Sequence, residues 1–366
     1  MAAARTTNPM LTWTTFAPLA ALVALALTWG RDLNTVLVVV VALLLAGSVL
    51  ASVHHAEVVA HRVGEPFGSL VLAVAVTVIE VALILTLMIS GGKDSASLAR
   101  DTVFAAVMIT CNGIVGLSLF VGARRYGLVS FNAEGAGAAL ATVTMLAALT
   151  MVVPTFTTSA PGPVFSGAQL VFAAVASLTL YAMFVSTQTV RHRDFFLPVS
   201  DEGELLEDDH AKPPTNREAW TSLGLLLVSL VAVVGLAKVE SPAIESGVAA
   251  AGLPPSFVGV VIALLVLLPE TLAAVRAAGR NRLQISLNLG LGSAMASIGL
   301  TIPAITIATI WIDQPLELGL GPTQMVLLAL TVVTAVLTVV PGRATRLQGG
   351  VHLVLMAAFV FLAIAP

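Results

Sequence analysis

Apolar residues along this chain gather into eleven continuous runs, at 12–29, 33–53, 67–90, 102–121, 136–153, 164–187, 219–239, 255–275, 283–312, 323–340 and 350–365. Charged residues or Gly/Pro-rich breaks separate them. A membrane-spanning helix needs about 20 residues to cross ~30 Å of hydrocarbon, and the runs are of that length. None alternates with a period of two, as the strands of a membrane barrel would. The pattern predicts an all-α polytopic membrane protein with about eleven transmembrane helices. The ninth run is the longest and carries Pro303 near its middle, which predicts a tilted or broken helix. The first run contains Ala24-Leu25-Ala26, a triplet of the kind found at signal cleavage sites. The single Arg5 before it and the length of the run instead predict a retained leading helix.

Composition narrows the class further. Of 366 residues, 58% are hydrophobic and 10% charged, with a mean hydropathy of +1.00. A soluble domain carries about 25% charged residues, so a soluble enzyme is excluded. The net charge of −3 offers no basic face for nucleic acid. One cysteine, Cys111, excludes an intrachain disulfide and a cysteine-based zinc cluster.

Numbering the connections alternately places 13 of the 17 Lys and Arg on one side and four, Arg31, Lys93, Arg100 and Lys238, on the other. That bias predicts a cytoplasmic N-terminus and an outer C-terminus in a bacterial cytoplasmic (inner) membrane. The long polar stretch 191–218 lies on the cytoplasmic side. It holds Asp201, Glu202, Glu204, Glu207, Asp208 and Asp209, which read as a solvated linker or a cation collector. It divides the chain into a leading segment (1–32), a five-helix repeat (33–190), the acidic loop (191–218) and a second five-helix repeat (219–366). An offset of five helices makes the halves run in opposite directions, the arrangement of an inverted repeat.

Two of the 20 acidic residues lie well inside apolar runs. Glu80 sits in LAVAVTVIEVALILTLM and Glu270 in GVVIALLVLLPETLAAV, in equivalent helices of the two halves and 190 residues apart. An ionised carboxylate at mid-membrane costs about 3 kcal/mol or more. A protonated, hydrogen-bonded glutamate would explain one such residue, whereas two in equivalent places point to a shared ion site. Pro269 removes a helical hydrogen bond beside Glu270, freeing carbonyl oxygen for a cation. Asn112, in Cys111-Asn112-Gly113, offers an amide oxygen at depth. Ser293 and Ser297 lie one turn apart in NLGLGSAMASIGLTIP. The small residues around them also suit plain helix packing.

Two carboxylates would neutralise Ca²⁺, which takes six to eight oxygens. Without a cation, two carboxylates in a poorly solvated cavity cannot both stay ionised, so protons and cation compete for the same oxygens. Opened to one side at a time, such a site is an antiporter. Sodium or potassium is the alternative cargo. His54, Glu57 and His61 share a helical face at the cytoplasmic interface, where they read as interfacial polar residues or as a gate or proton relay. No HExxH, paired-aspartate or nucleophile–base pattern supports an enzyme. A passive channel would want filter repeats, and none is visible.

At these residues the chain resembles the cation/proton exchanger branch of the Ca²⁺/cation antiporter superfamily. HRVGEPFGSLVLAVAVTVIEVALI, LLPETLAAVRAAGRNRLQ and NLGLGSAMASIGLTIP are similar to bacterial ChaA-type calcium:proton antiporters. The resemblance implies eleven helices, an acidic segment after the sixth, and two inverted repeats with an essential glutamate in each. The inverted halves themselves suggest alternating access by one helix group sliding past the four-helix core that holds the glutamates. The resemblance makes Glu80 and Glu270 the cation- and proton-binding acids. Where the wider branch carries Gly-Asn-x-x-Glu, this chain has Thr77 and Leu267 three residues before its glutamates. Thr77 can offer an oxygen and Leu267 cannot. The expectation is a Ca²⁺/proton antiporter, with Na⁺ or K⁺ as the alternative, embedded in lipid and needing no cofactor.

Overall fold

The computed structural model describes residues 12–31, 33–64, 67–91, 96–198, 214–311 and 316–365. The acidic cluster 201–209 lies outside the described residues. Ten described spans are long and apolar enough to cross a membrane. The leading helix α1 (Trp13–Thr28) is a shorter apolar helix of 16 residues. Helices α2 (Thr35–Val63), α3 (Phe67–Gly91) and α9 (Asn216–Ala250) complete a first compact unit with α1.

Within that unit, α2 runs antiparallel to α1. The Nε2 of His55 lies 3.0 Å from the carbonyl of Thr14, and Gly47 packs on Ala17 further along. Helix α9 runs beside α1 in the same direction, with Gly235 seated against Leu25 and the Lys238 ammonium over the Trp29 ring at 5.1 Å. The α2–α3 turn is tight because Gly64 adopts φ +75. Gly68 then lies so close to the carbonyl of Ala60 that no side chain would fit. Ala56, Ala75 and Leu226 join α2, α3 and α9 in one buried cluster.

The second unit is built around α4 (Leu98–Met108), a π-helical segment (Ile109–Ile114) and α5 (Val115–Tyr126), which form one span that is 89% buried. Around it stand α6 (Ala133–Ala147), a second π segment (Ala148–Val152), α7 (Val153–Phe156) and α8 (Gly167–Ser186) from the first half. The second half gives α10 (Phe257–Ala278), α11 (Leu283–Gly299), α12 (Thr301–Ala308), α13 (Pro322–Val339) and α14 (Arg346–Ile364). Glycine sets the closest approaches. A Cβ on Gly259 of α10 would stand 2.8 Å from the Thr102 nitrogen, and one on Gly116 of α5 2.9 Å from the His352 Cβ of α14.

Two short pairings record the opposed halves of this unit. Strand β1 (Leu128–Ser130), after α5, pairs antiparallel with β2 (Arg343–Thr345), before α14. The bridge Val164↔Glu317 joins the loop before α8 to the loop before α13. Each pairs the connection after one half's third span with the connection after the other half's fourth. An inverted relation between the halves requires that exchange.

Three expectations are refined. The ninth run is broken at Leu300, between α11 and α12, three residues before Pro303. Helix α2 continues ten residues past its apolar run, so His54, Glu57 and His61 sit on the helix rather than after it. Helix α9 likewise runs on to Ala250 through Lys238, Glu240 and Glu245. In both cases a positive-φ glycine follows the helix, Gly64 or Gly252, so backbone chemistry rather than loss of hydrophobicity sets the stop.

Candidate functional site

Long apolar stretches of Val, Leu, Ile and Ala make α3 and α10 helical in a membrane, where every backbone group must be bonded within its own segment. Each carries one carboxylate. In the first unit, Glu80 is 3% exposed on α3, and Thr77, one turn earlier, is 7% exposed. Ile79, Leu83 and Ile84 around them are buried. The Thr77 hydroxyl has no hydrogen-bond partner among the described residues. That distinguishes it from Thr110, Thr142, Thr144 and Thr150, whose hydroxyls donate back to the carbonyl four residues earlier. Thr77 and Glu80 therefore present oxygen from one turn of α3.

In the second unit, Glu270 is half-buried on α10. Pro269 has no N–H to give to the carbonyl of Leu265. Nearby, Thr271 donates to the carbonyl of Leu267 at 2.7 Å. Helix α11 returns antiparallel to α10, with Ser286 donating to the carbonyl of Ala274 at 2.6 Å. Counting along both helices from that bond sets Glu270 level with Gly290. At 1.5 Å per residue, Ser293 then lies about 5 Å from that level and Ser297 about 10 Å. By this count Ser293 lies about one turn from the level of Glu270 and Ser297 about two.

Gly290 also admits the π segment at this depth. A Cβ there would meet Ile114 at 3.4 Å, Val115 at 3.5 Å and the Thr110 carbonyl at 3.6 Å. The Thr110 carbonyl oxygen of this segment thus faces α11 at Gly290. The Asn112 amide, expected as a ligand, is fully buried and directed elsewhere. Its Nδ2 donates to Thr331 Oγ1 of α13 at 2.9 Å, and its Oδ1 lies 3.1 Å from Nδ1 of His352 on α14. Nε2 of His352 meets Thr338 Oγ1 at 3.1 Å. Nothing in the spacing of Cys111-Asn112-Gly113 indicates which neighbour the amide faces; the lone histidine of the last apolar run was the available signal.

His54 and Glu57 are exposed and line a cavity of about 1120 Å³ in the first unit, together with His61, Thr14, Arg217 and Glu218. Glu218 accepts from the Thr215 backbone and hydroxyl at 2.7 and 2.9 Å as the cap of α9. Among the described residues no group of three or more His, Cys, Asp or Glu is placed to hold a metal ion. His54, Glu57 and His61 thus stand together on the wall of this cavity.

Sequence reasoning also passed over Glu240. It lies one residue past the seventh apolar run, yet on α9 it is 2% exposed. Pro242, two residues on, reads in the sequence as a helix stop, yet α9 runs through it to Ala250.

Comparison with known proteins places these residues in context. The family model described as sodium/calcium exchanger protein matches residues 33–190 and 221–365. The chain is 45% identical over 361 residues to the Sinorhizobium fredii protein y4hA, covering 97% of this chain and 96% of that one. It is 35% identical over 349 residues to the sodium-potassium/proton antiporter ChaA of Escherichia coli, covering 93% of each. The crystal structure of the H⁺/Ca²⁺ exchanger CAX shares the fold, with a TM-score of 0.71 at 15% identity over 95% of this chain and 86% of that one.

Proposed function

This chain belongs to the sodium/calcium exchanger protein family, and on that premise we propose that it is a secondary antiporter moving cations outward across the bacterial inner membrane against protons. The observation that carries the reading is one carboxylate in each opposed half. Glu80 is buried on α3 with the Thr77 hydroxyl one turn away, and Glu270 follows Pro269 on α10. A carboxylate at membrane depth must be neutralised by a proton, a cation or a hydrogen-bonding partner. A proton and a cation cannot occupy the same oxygen together, so release of one permits binding of the other. Alternating exposure to the two sides makes that competition an exchange.

Two glutamates carry two charges between them, which Ca²⁺ satisfies alone. Na⁺ or K⁺ satisfies the same pair when one carboxyl stays protonated. The charge count supports Ca²⁺ as cargo. The likeness to ChaA, a sodium-potassium/proton antiporter at 35% identity, supports the alkali cations, as does Leu267, which contributes no side-chain oxygen beside Glu270.

The test is proton movement in proteoliposomes holding the full chain when Ca²⁺, Na⁺ or K⁺ is added. Wild type should dissipate a pH gradient with at least one of these, and Glu80→Gln and Glu270→Gln should each lose the response. Silence with all three cations in folded wild-type protein would overturn the exchanger. Activity surviving in either variant would move the site to other residues.

A further inference from the structure

The first unit holds a second carboxylate buried in a membrane-spanning helix, Glu240 of α9. It is 2% exposed, and its Oε1 has no hydrogen-bond partner among the described residues. The nearest cation on its own helix, Lys238, is engaged over the Trp29 ring. Lys238 lies two residues earlier, which on a helix sets the two side chains on different faces. The other titratable groups at this end of the unit are Glu245 on α9 and Arg31 after α1. The described residues of α2 and α3 at this depth bring none.

The backbone beside Glu240 is prepared for a cation as well. Pro242 lies inside α9 and has no N–H for the carbonyl of Lys238, one turn back. Ser241, 1% exposed, donates to Glu245 Oε1 at 3.0 Å. A carboxylate oxygen and a freed carbonyl thus lie within one turn. The same conjunction of carboxylate and intrahelical proline marks Glu270.

The position relative to Glu80 follows from register within this unit. Leu226 of α9 shares a buried cluster with Ala75 of α3. The tight α2–α3 turn and the α1–α9 contacts make α3 and α9 parallel. Counting from the cluster, Glu240 stands about 13 Å beyond Glu80 toward the Trp29 end, at 1.5 Å per residue.

We propose that Glu240, with the freed Lys238 carbonyl, is a binding station for a monovalent cation, a proton or an alkali ion, between Glu80 and the membrane face at the end of α9. Its one carboxylate, with a carbonyl oxygen as the neighbouring donor, matches a single hard positive charge. The proposal rests on the antiporter reading and adds to it a third acid that Glu80 and Glu270 do not replace.

Two measurements test it. The first is residue-resolved mass spectrometry of the full-length protein after dicyclohexylcarbodiimide, which labels protonated carboxyls in apolar surroundings. Labelling at Glu240 should fall as pH rises. Protection by NaCl or KCl, against choline chloride at equal ionic strength, identifies an alkali ion as occupant, and protection by pH alone identifies the proton. Labelling indifferent to pH and to both salts would overturn the proposal, because the group would then be a fixed neutral acid.

The second is antiport by Glu240→Gln and Glu240→Asp. Gln should raise the half-saturating Na⁺ or K⁺ concentration, or shift the pH profile, by about tenfold in cation or proton concentration, and Asp should restore most of it. A Gln variant that matches wild type while Glu80→Gln is dead would sink the station and leave the antiporter standing. Wild type without antiport would sink the antiporter, and the labelling would still report on Glu240.

Discussion

The network around Asn112 shows what the second unit spends on a buried amide. Thr331 donates its one hydroxyl proton to the Leu327 carbonyl at 2.8 Å, so it accepts from Asn112 Nδ2. Asn112 Oδ1 then faces Nδ1 of His352 at 3.1 Å, a contact that becomes a hydrogen bond in the Nδ1–H tautomer. Each such bond between membrane helices is worth about 0.6 kcal/mol, with an upper value of about 1.7. His352→Leu and Asn112→Leu should each destabilise the protein by about 1–3 kcal/mol, because each strands a buried polar partner. The double variant should lose less than the sum. Denaturant titration of the four proteins in micelles checks this, and strict additivity would mean the two side chains are not coupled. Glu80 and Glu270 were legible as site candidates because two carboxylates stand at equivalent places inside Val/Leu/Ile runs. The role of Asn112 was not, because the face an amide presents depends on which helices pack beside it.

At the scale of the helix, small residues act where two backbones must touch and are idle elsewhere. A methyl on Gly116 would lie 2.9 Å from His352 Cβ and 3.2 Å from the Leu353 nitrogen, whereas one on Gly292 would meet nothing within 4 Å. Gly116→Ala should therefore push α5 from α14 and cost about 1–3 kcal/mol. Gly292→Ala should be neutral or slightly stabilising through helix propensity. Thermal unfolding of the two variants in detergent gives the comparison, and equal midpoints would refute the close contact. The number and order of the helices could be read from the apolar runs, since lipid demands a continuous apolar segment for each crossing. Helix ends could not. Helices α2 and α9 carry polar residues beyond their runs until Gly64 and Gly252 turn the backbone at φ +75 and +71. That overrun is why Glu240 lay outside the expected core. The π segments at Ile109–Ile114 and Ala148–Val152 had no sequence signature either.

For the whole molecule, the inverted halves tie the direction of insertion to the direction of transport. The β1–β2 pair and the Val164–Glu317 bridge join opposite kinds of connection, so in an inverted arrangement they belong to opposite membrane faces. Arg343, on β2, and Arg124 and Arg125, just before β1 at the end of α5, gather three positive charges near the first pair. Beside the bridge, among the described residues, Arg100 stands 3.9 Å from Glu317. Positive charge in short connections is retained in the cytoplasm during insertion. The β1–β2 face should therefore be cytoplasmic and the bridge face outer, in line with the 13-to-4 division of Lys and Arg along the chain. Alkaline phosphatase fused after residue 365 should be active and a fluorescent protein at the same place dark. The same reporters in the 191–218 segment should show the opposite pattern. Bright fluorescence at the C-terminal fusion would reverse the orientation, and the Trp29 end of the first unit, with Glu240 near it, would then face the cytoplasm. In that event the cation would meet Glu240 before Glu80 on its way out, so this one reporter pair fixes the order in which the two carboxylates are used.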